Sequence, residues 1–160
     1  MKAREIKHNI YSVGAIDWDR RLFDALIPLP DGTSYNSYLI KGSEKTALID
    51  TVDPAMEDVL INHLNQLGVE SIDYVVANHA EQDHSGAIPR VLGNYPDAKV
   101  VTTPRGKDML MDLLLIPEEK FITVGDGETL SLGDRTLEFI HAPWVHWPET
   151  MLTYLQEDKV

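Results

Sequence analysis

At 160 residues and 18.0 kDa, the chain has room for one compact domain and is short for two. Its 14 Lys and Arg stand against 26 Asp and Glu, a formal net charge of −12. That balance argues against a nucleic-acid binder, which needs surplus basic side chains to neutralise phosphates, and against adhesion to an anionic membrane surface. With no cysteine, disulfides, thiolate zinc sites, iron–sulfur clusters and thiol catalysis are excluded. The surplus of carboxylates fits a soluble protein or one that holds metal cations.

The opening MKAREIKHNI is polar and lacks the apolar core of a secretory signal. Apolar runs such as Leu113–Ile116 are far shorter than a membrane span. A cytoplasmic domain is therefore expected. His8–Ala15 and Ser34–Ile40 are rich in aromatic and β-branched residues and read as strands, with a loop around Pro28, Pro30, Asp31 and Gly32 between them. Lys41-Gly42-Ser43 turns into the strand Thr46–Ile49. Asp53-Pro54 has the chemistry of a helix start, and Val59, Leu60, Leu64 and Leu67 keep a helical period until Gly68.

Tyr74–Ala77 reads as a short buried strand running into Asn78–His84, and Ser85–Leu92 as a helix with Pro89 in its first turn. Lys99–Thr102 is a strand and Arg105–Leu114 a helix. Ile122–Val124, Glu128–Leu132, Arg135–His141 and Met151–Leu155 return to strands around the turn Gly125-Asp126-Gly127. Strands followed by alternating strands and helices predict a layered α+β domain. The chain ends at Glu157-Asp158-Lys159-Val160, as if cut from something longer.

The chemistry concentrates in Asn78-His79-Ala80-Glu81-Gln82-Asp83-His84-Ser85-Gly86, where four potential metal ligands fall within six residues. In an extended segment, alternate residues project to one side, so His79, Glu81 and Asp83 can converge, with His84 arriving from a helix start. A second stretch, His141-Ala142-Pro143-Trp144-Val145-His146-Trp147-Pro148-Glu149-Thr150, displays His146 between two tryptophans. Alone it reads equally as an aromatic-packed surface loop. Beside the first cluster, His146 becomes a candidate ligand from distant sequence, with indole walls to keep water away. His8 and His63 are expected on the surface. His141 stays open between support for the His146 loop and a surface role, and Asp50 between orienting a ligand loop and capping a strand end.

The H-x-E-x-D-H-x-G pattern, the H-W-P-E-T stretch and the strands T-S-Y-N-S-Y-L-I and L-I-D-T-V together resemble the flavodiiron branch of the metallo-β-lactamase superfamily. Zinc hydrolases of that superfamily have a histidine where Glu81 stands here; the swap adds charge and a hard oxygen donor, which suits iron. The resemblance implies an αββα sandwich, with residues 1–160 holding only its first part. It assigns His79, Glu81 and His146 to one iron, and Asp83 and His84 to a second. His84 is a ligand in some members and not in others.

The same resemblance places a bridging aspartate, one further histidine and a flavodoxin-like FMN domain beyond Val160, so that the segment alone would bind metal weakly. It implies reduction of dioxygen to water, of nitric oxide to nitrous oxide, or both. The implied electron donor is rubredoxin or a reduced flavin or deazaflavin, and the implied assembly a head-to-tail homodimer. A histidine that family members often carry in a Phe-His-Gly stretch is replaced by Phe23-Asp24-Ala25, which leaves the choice of gas open. A zinc hydrolase is the alternative, opposed by Glu81 because added charge makes metal-bound water less acidic. A non-enzymatic acidic domain docking a protein partner is the third reading.

Overall fold

The structure is a computed structural model that describes residues 2–160. Its first half is mainly strand: β1 (Arg4–Lys7), β2 (Ile10–Ser12), β3 (Ala15–Asp17), β4 (Leu22–Phe23), β5 (Ile27–Pro28), β6 (Thr33–Tyr35), β7 (Tyr38–Lys41) and β8 (Thr46–Ile49). Helices then alternate with strands: α1 (Glu57–Gln66), β9 (Tyr74–Val76), α2 (Gln82–Ser85), α3 (Ile88–Asn94), β10 (Lys99–Thr102) and α4 (Pro104–Leu114). Four strands follow: β11 (Phe121–Thr123), β12 (Thr129–Ser131), β13 (Thr136–His141) and β14 (Met151–Leu155).

Seven strands form one sheet in the order β1-β2-β7-β8-β9-β10-β11. β7 and β8 pair antiparallel, while β8, β9, β10 and β11 run parallel. Parallel strands need covering on both faces, and the pleat supplies side chains to each in turn. Leu39, Leu48, Val75 and Val100 join the core under the helices, with Leu60, Leu64, Ile88, Val91 and Leu110. Their neighbours Ile40, Ile49, Val76 and Val101 face the other way, against Leu137, Phe139, Met151 and Leu155. The latter come from a second sheet, β12-β13-β14, stacked on the first. Burying each such side chain stabilises by about 1.5–3 kcal/mol before entropy is counted.

The helix signals behave as expected. Asp53 accepts from Ala55 N at 3.0 Å and leads a 3-10 turn, Pro54–Met56, into α1. Gly68, at φ +60°, follows its end. Thr103 caps α4, accepting from Gly106 N at 3.0 Å.

Four expectations are corrected. The stretch 8–15 breaks where Val13 N and Gly14 N both donate to Ser37 O, at 2.9 and 3.2 Å. A Cβ on Gly14 would lie 2.0 Å from Tyr35 O, so only glycine permits that approach. The stretch 34–40 breaks at the same place, and β3 and β6 pair in a separate ribbon. The helix expected over 85–92 is two short ones, because Ala87 N donates to Val52 O at 3.0 Å at their junction. His63 is not a surface residue: it is buried on α1, with Nδ1 2.9 Å from Val13 O.

Candidate metal centre

β9 runs out at Val76, and Ala77 N still donates to Val101 O at 2.9 Å, so the sheet holds the backbone up to the first histidine. His79 is buried there. Glu81 follows in extended conformation and opens α2, yet its side chain makes no cap hydrogen bond to the helix. Its Oε2 instead lies 3.0 Å from His79 Nε2 and 3.0 Å from His146 Nε2. One ligand atom from each of His79, Glu81 and His146 fits within 4.8 Å of the others. The two imidazoles, 67 positions apart in sequence, stand with ring centroids 4.6 Å apart.

Behind His79 sits Glu149, whose side chain is 1% exposed. Its Oε1 accepts from Ala80 N at 2.9 Å and lies 2.8 Å from His79 Nδ1. His79 therefore has a carboxylate oxygen against each ring nitrogen. A neutral imidazole has one N–H, so the lone pair of its other nitrogen must face a carboxylate unless a proton or a cation intervenes. Spacings of about 3.0 Å are those of neighbouring ligands on an ion with bonds of about 2.1 Å. This donor set, two imidazoles and a carboxylate with a further carboxylate behind, fits a metal of iron's type.

Asp83 lies on α2 rather than in an extended segment, which corrects the alternation argument beyond Glu81, whereas His84 comes from a helical turn as expected. His84 Nε2 is 3.5 Å from Asp83 Oδ2, and its ring centroid is 5.5 Å from that of His79. They form a second group beside the triad. Asp83 Oδ1 and His84 Nδ1 are buried without hydrogen-bond partners, as groups awaiting a ligand would be. Burial pushes the Asp83 carboxyl up, with Glu81 adding to it and His84 opposing. Burial also acts to raise Glu81, but the His146 and His79 imidazoles beside it outweigh that and hold the carboxyl below its usual value.

The loop 142–150 supplies His146, but the expected tryptophan walls reduce to one. Trp147 packs edge-on to His79 at 4.8 Å, whereas Trp144, at φ +65°, is three-quarters exposed. His141 bonds Val124 O at 3.0 Å and takes no part in the cluster. Asp50 does orient the ligand loop: it accepts from Asn78 N at 2.8 Å and Asn78 Nδ2 at 3.2 Å. Burial raises its carboxyl despite His84 and Asn78. Gly86 lets α2 pass close to the start of α1, since a Cβ there would meet Pro54 and Gln82 O at 2.5 Å. Glu149 carries no spacing signal that would have found it. Beside the triad opens a cavity of about 570 Å³, walled by Tyr38, Ile40, Ile49, Met151 and Leu155.

A family model described as ODP family beta lactamase matches residues 33–160. The chain belongs to that family. The relatives include proteins named as flavodiiron proteins. The nitric oxide reductase of Moorella thermoacetica is 42% identical over 157 residues, covering 97% of this chain and 39% of its own. The flavodiiron protein of Giardia intestinalis superposes with a TM-score of 0.91 at 33% identity, covering 99% of this chain and 38% of that one. For the rubredoxin oxygen:oxidoreductase of Desulfovibrio gigas the TM-score is 0.89 at 35% identity, over 97% and 39%. The fold is thus the first part of a metallo-β-lactamase-like flavodiiron core, and the chain spans about two fifths of these proteins. Among the described residues, no helix is long and apolar enough to cross a membrane.

Proposed function

We propose that this chain is the metal-binding segment of a flavodiiron reductase acting on dioxygen, nitric oxide or both. The observation that carries the reading is Glu81: a carboxylate shared by two imidazoles at 3.0 Å each, where a zinc hydrolase would place a third imidazole. His79, Glu81 and His146 hold one iron, and Asp83 and His84 face the other. In the intact protein, the rest of this domain completes the second iron's ligands and an FMN domain delivers electrons from a rubredoxin-like or reduced flavin donor. Two such chains pair head to tail.

When bound, the iron pair supplies a binding place for the diatomic gas and a path for electrons to it. The residues described here do the rest. Asp50 fixes the ligand loop at Asn78 and Glu149 fixes it at Ala80. Tyr38, Ile40, Ile49 and Met151 line an apolar approach suited to a small uncharged gas and poor at holding water. The net charge of −12 leaves carboxylates to balance the cations.

Metal analysis of the intact protein, with gas consumption measured on an oxygen and a nitric oxide electrode, tests this. About two irons per chain and reduction of either gas are expected, both lost in Glu81→Ala. Zinc alone, with neither gas consumed, contradicts it.

A further inference from the structure

Glu149 touches both segments that build the triad while contributing no ligand itself. We propose that it is the positioning residue that holds His79 with Nε2 free for the metal and locks the His146 loop to the His79 loop. This rests on the metal-centre reading above. By accepting at Oε1 from His79 Nδ1, Glu149 selects the tautomer that leaves the Nε2 lone pair toward Glu81. The same oxygen takes Ala80 N, so ring and backbone are referred to one atom.

The position of that atom is set from elsewhere. Thr103, the cap of α4, donates its hydroxyl to Glu149 O at 3.2 Å. Met151 N donates to Asn78 O at 2.9 Å, and Thr153 Oγ1 to Asn78 Oδ1 at 2.6 Å, where β14 begins. Glu149 lies three residues from His146, so displacing one ligand displaces the support of the other.

A purely structural role does not account for the side chain. Two donors on Oε1 could be met by an uncharged carbonyl oxygen. Oε2 is instead buried with no hydrogen-bond partner, and among the described residues the carboxylate's ion-pair contact is His79 alone. A buried negative charge left so bare is costly unless positive charge lies opposite. A cation on the far nitrogen of His79 provides it, and the carboxylate in return makes that imidazole a better donor to the metal.

The test uses zinc as a diamagnetic probe in the intact protein, with Glu149→Gln, Glu149→Ala and, as control, Glu81→Ala. Zinc affinity is read by competition with a chelator, and the His79 tautomer by imidazole 15N NMR. Glu149→Ala is expected to weaken zinc binding about 10–100-fold and to lose the fixed Nδ1–H tautomer. Glu149→Gln can keep both accepted hydrogen bonds, with its amide in the slot of Oε2. It should hold the tautomer and bind zinc with an affinity between those of wild type and Glu149→Ala, so it carries the test if the alanine variant fails to fold. Affinities within about twofold of wild type in both variants, with the tautomer kept, overturn the proposal. Unchanged zinc affinity in Glu81→Ala overturns the metal reading itself, a separate failure.

Discussion

Thr51 grips the main-chain carbonyl of His84 with two donors, its own N–H and its hydroxyl, each at 2.7 Å. The residue before it, Asp50, holds Asn78 through two more hydrogen bonds. Two consecutive residues at the end of β8 thus fix both ends of the ligand-bearing loop. Asp50 does so at φ +53°, a conformation few side chains adopt readily.

Thr51→Val keeps the shape of this buried side chain and removes only the hydroxyl. The His84 carbonyl retains the backbone donor, so the cost should be about 1 kcal/mol, read from urea unfolding. Because the bond fixes α2 and not His79, the second metal equivalent should weaken more than the first in a stepwise titration. Thr51→Ser should restore both. Equal loss at both equivalents would show that Thr51 acts on the fold generally.

Where local chemistry decides structure, the sequence was readable. Asp53-Pro54, Gly68 and the short apolar strands all form what their residues favour, because capping and pleat alternation act within a few positions. His63 was misjudged because the bond that buries it runs 50 residues away to Val13. Asp83 was placed on the wrong local geometry, since a helical turn begins at Gln82 and ends the extended alternation. The pairing of His79 with Glu81 was legible in their spacing. Glu149 was not, because nothing near it in the chain reveals that His79 lies 2.8 Å away.

Tyr35 gives a pH signature independent of metal. Its ring is buried and its hydroxyl donates to Asp17 Oδ2 at 3.3 Å, beside the Arg20–Asp53 ion pair. Burial first, then Asp53, with Arg20 opposing and Asp17 adding, lifts its pKa from 10.0 to about 12. The folded state therefore keeps this proton at pH values where the unfolded chain has lost it. The stabilisation is complete below pH 10 and falls away as pH climbs toward 12. Compared with Tyr35→Phe, the wild type should lose up to about 2–3 kcal/mol over that range. Urea unfolding at steps of pH checks it, and parallel profiles for the two proteins would contradict it.

Glu81→His converts the triad to three imidazoles without disturbing the strand end or the His146 loop. The swap removes a negative charge and a hard oxygen donor, and nitrogen-rich sets suit zinc. Protein made in medium containing both metals should carry a higher zinc-to-iron ratio than wild type. Glu81→Asp separates charge from reach: it keeps the carboxylate but withdraws it by about one carbon–carbon bond, roughly 1.5 Å, from imidazole nitrogens that now lie at 3.0 Å. That variant should lose metal of either kind while its zinc-to-iron ratio stays near wild type. Iron dominance retained in Glu81→His would mean that metal choice lies with residues beyond the triad, and that the shared carboxylate is not what selects iron.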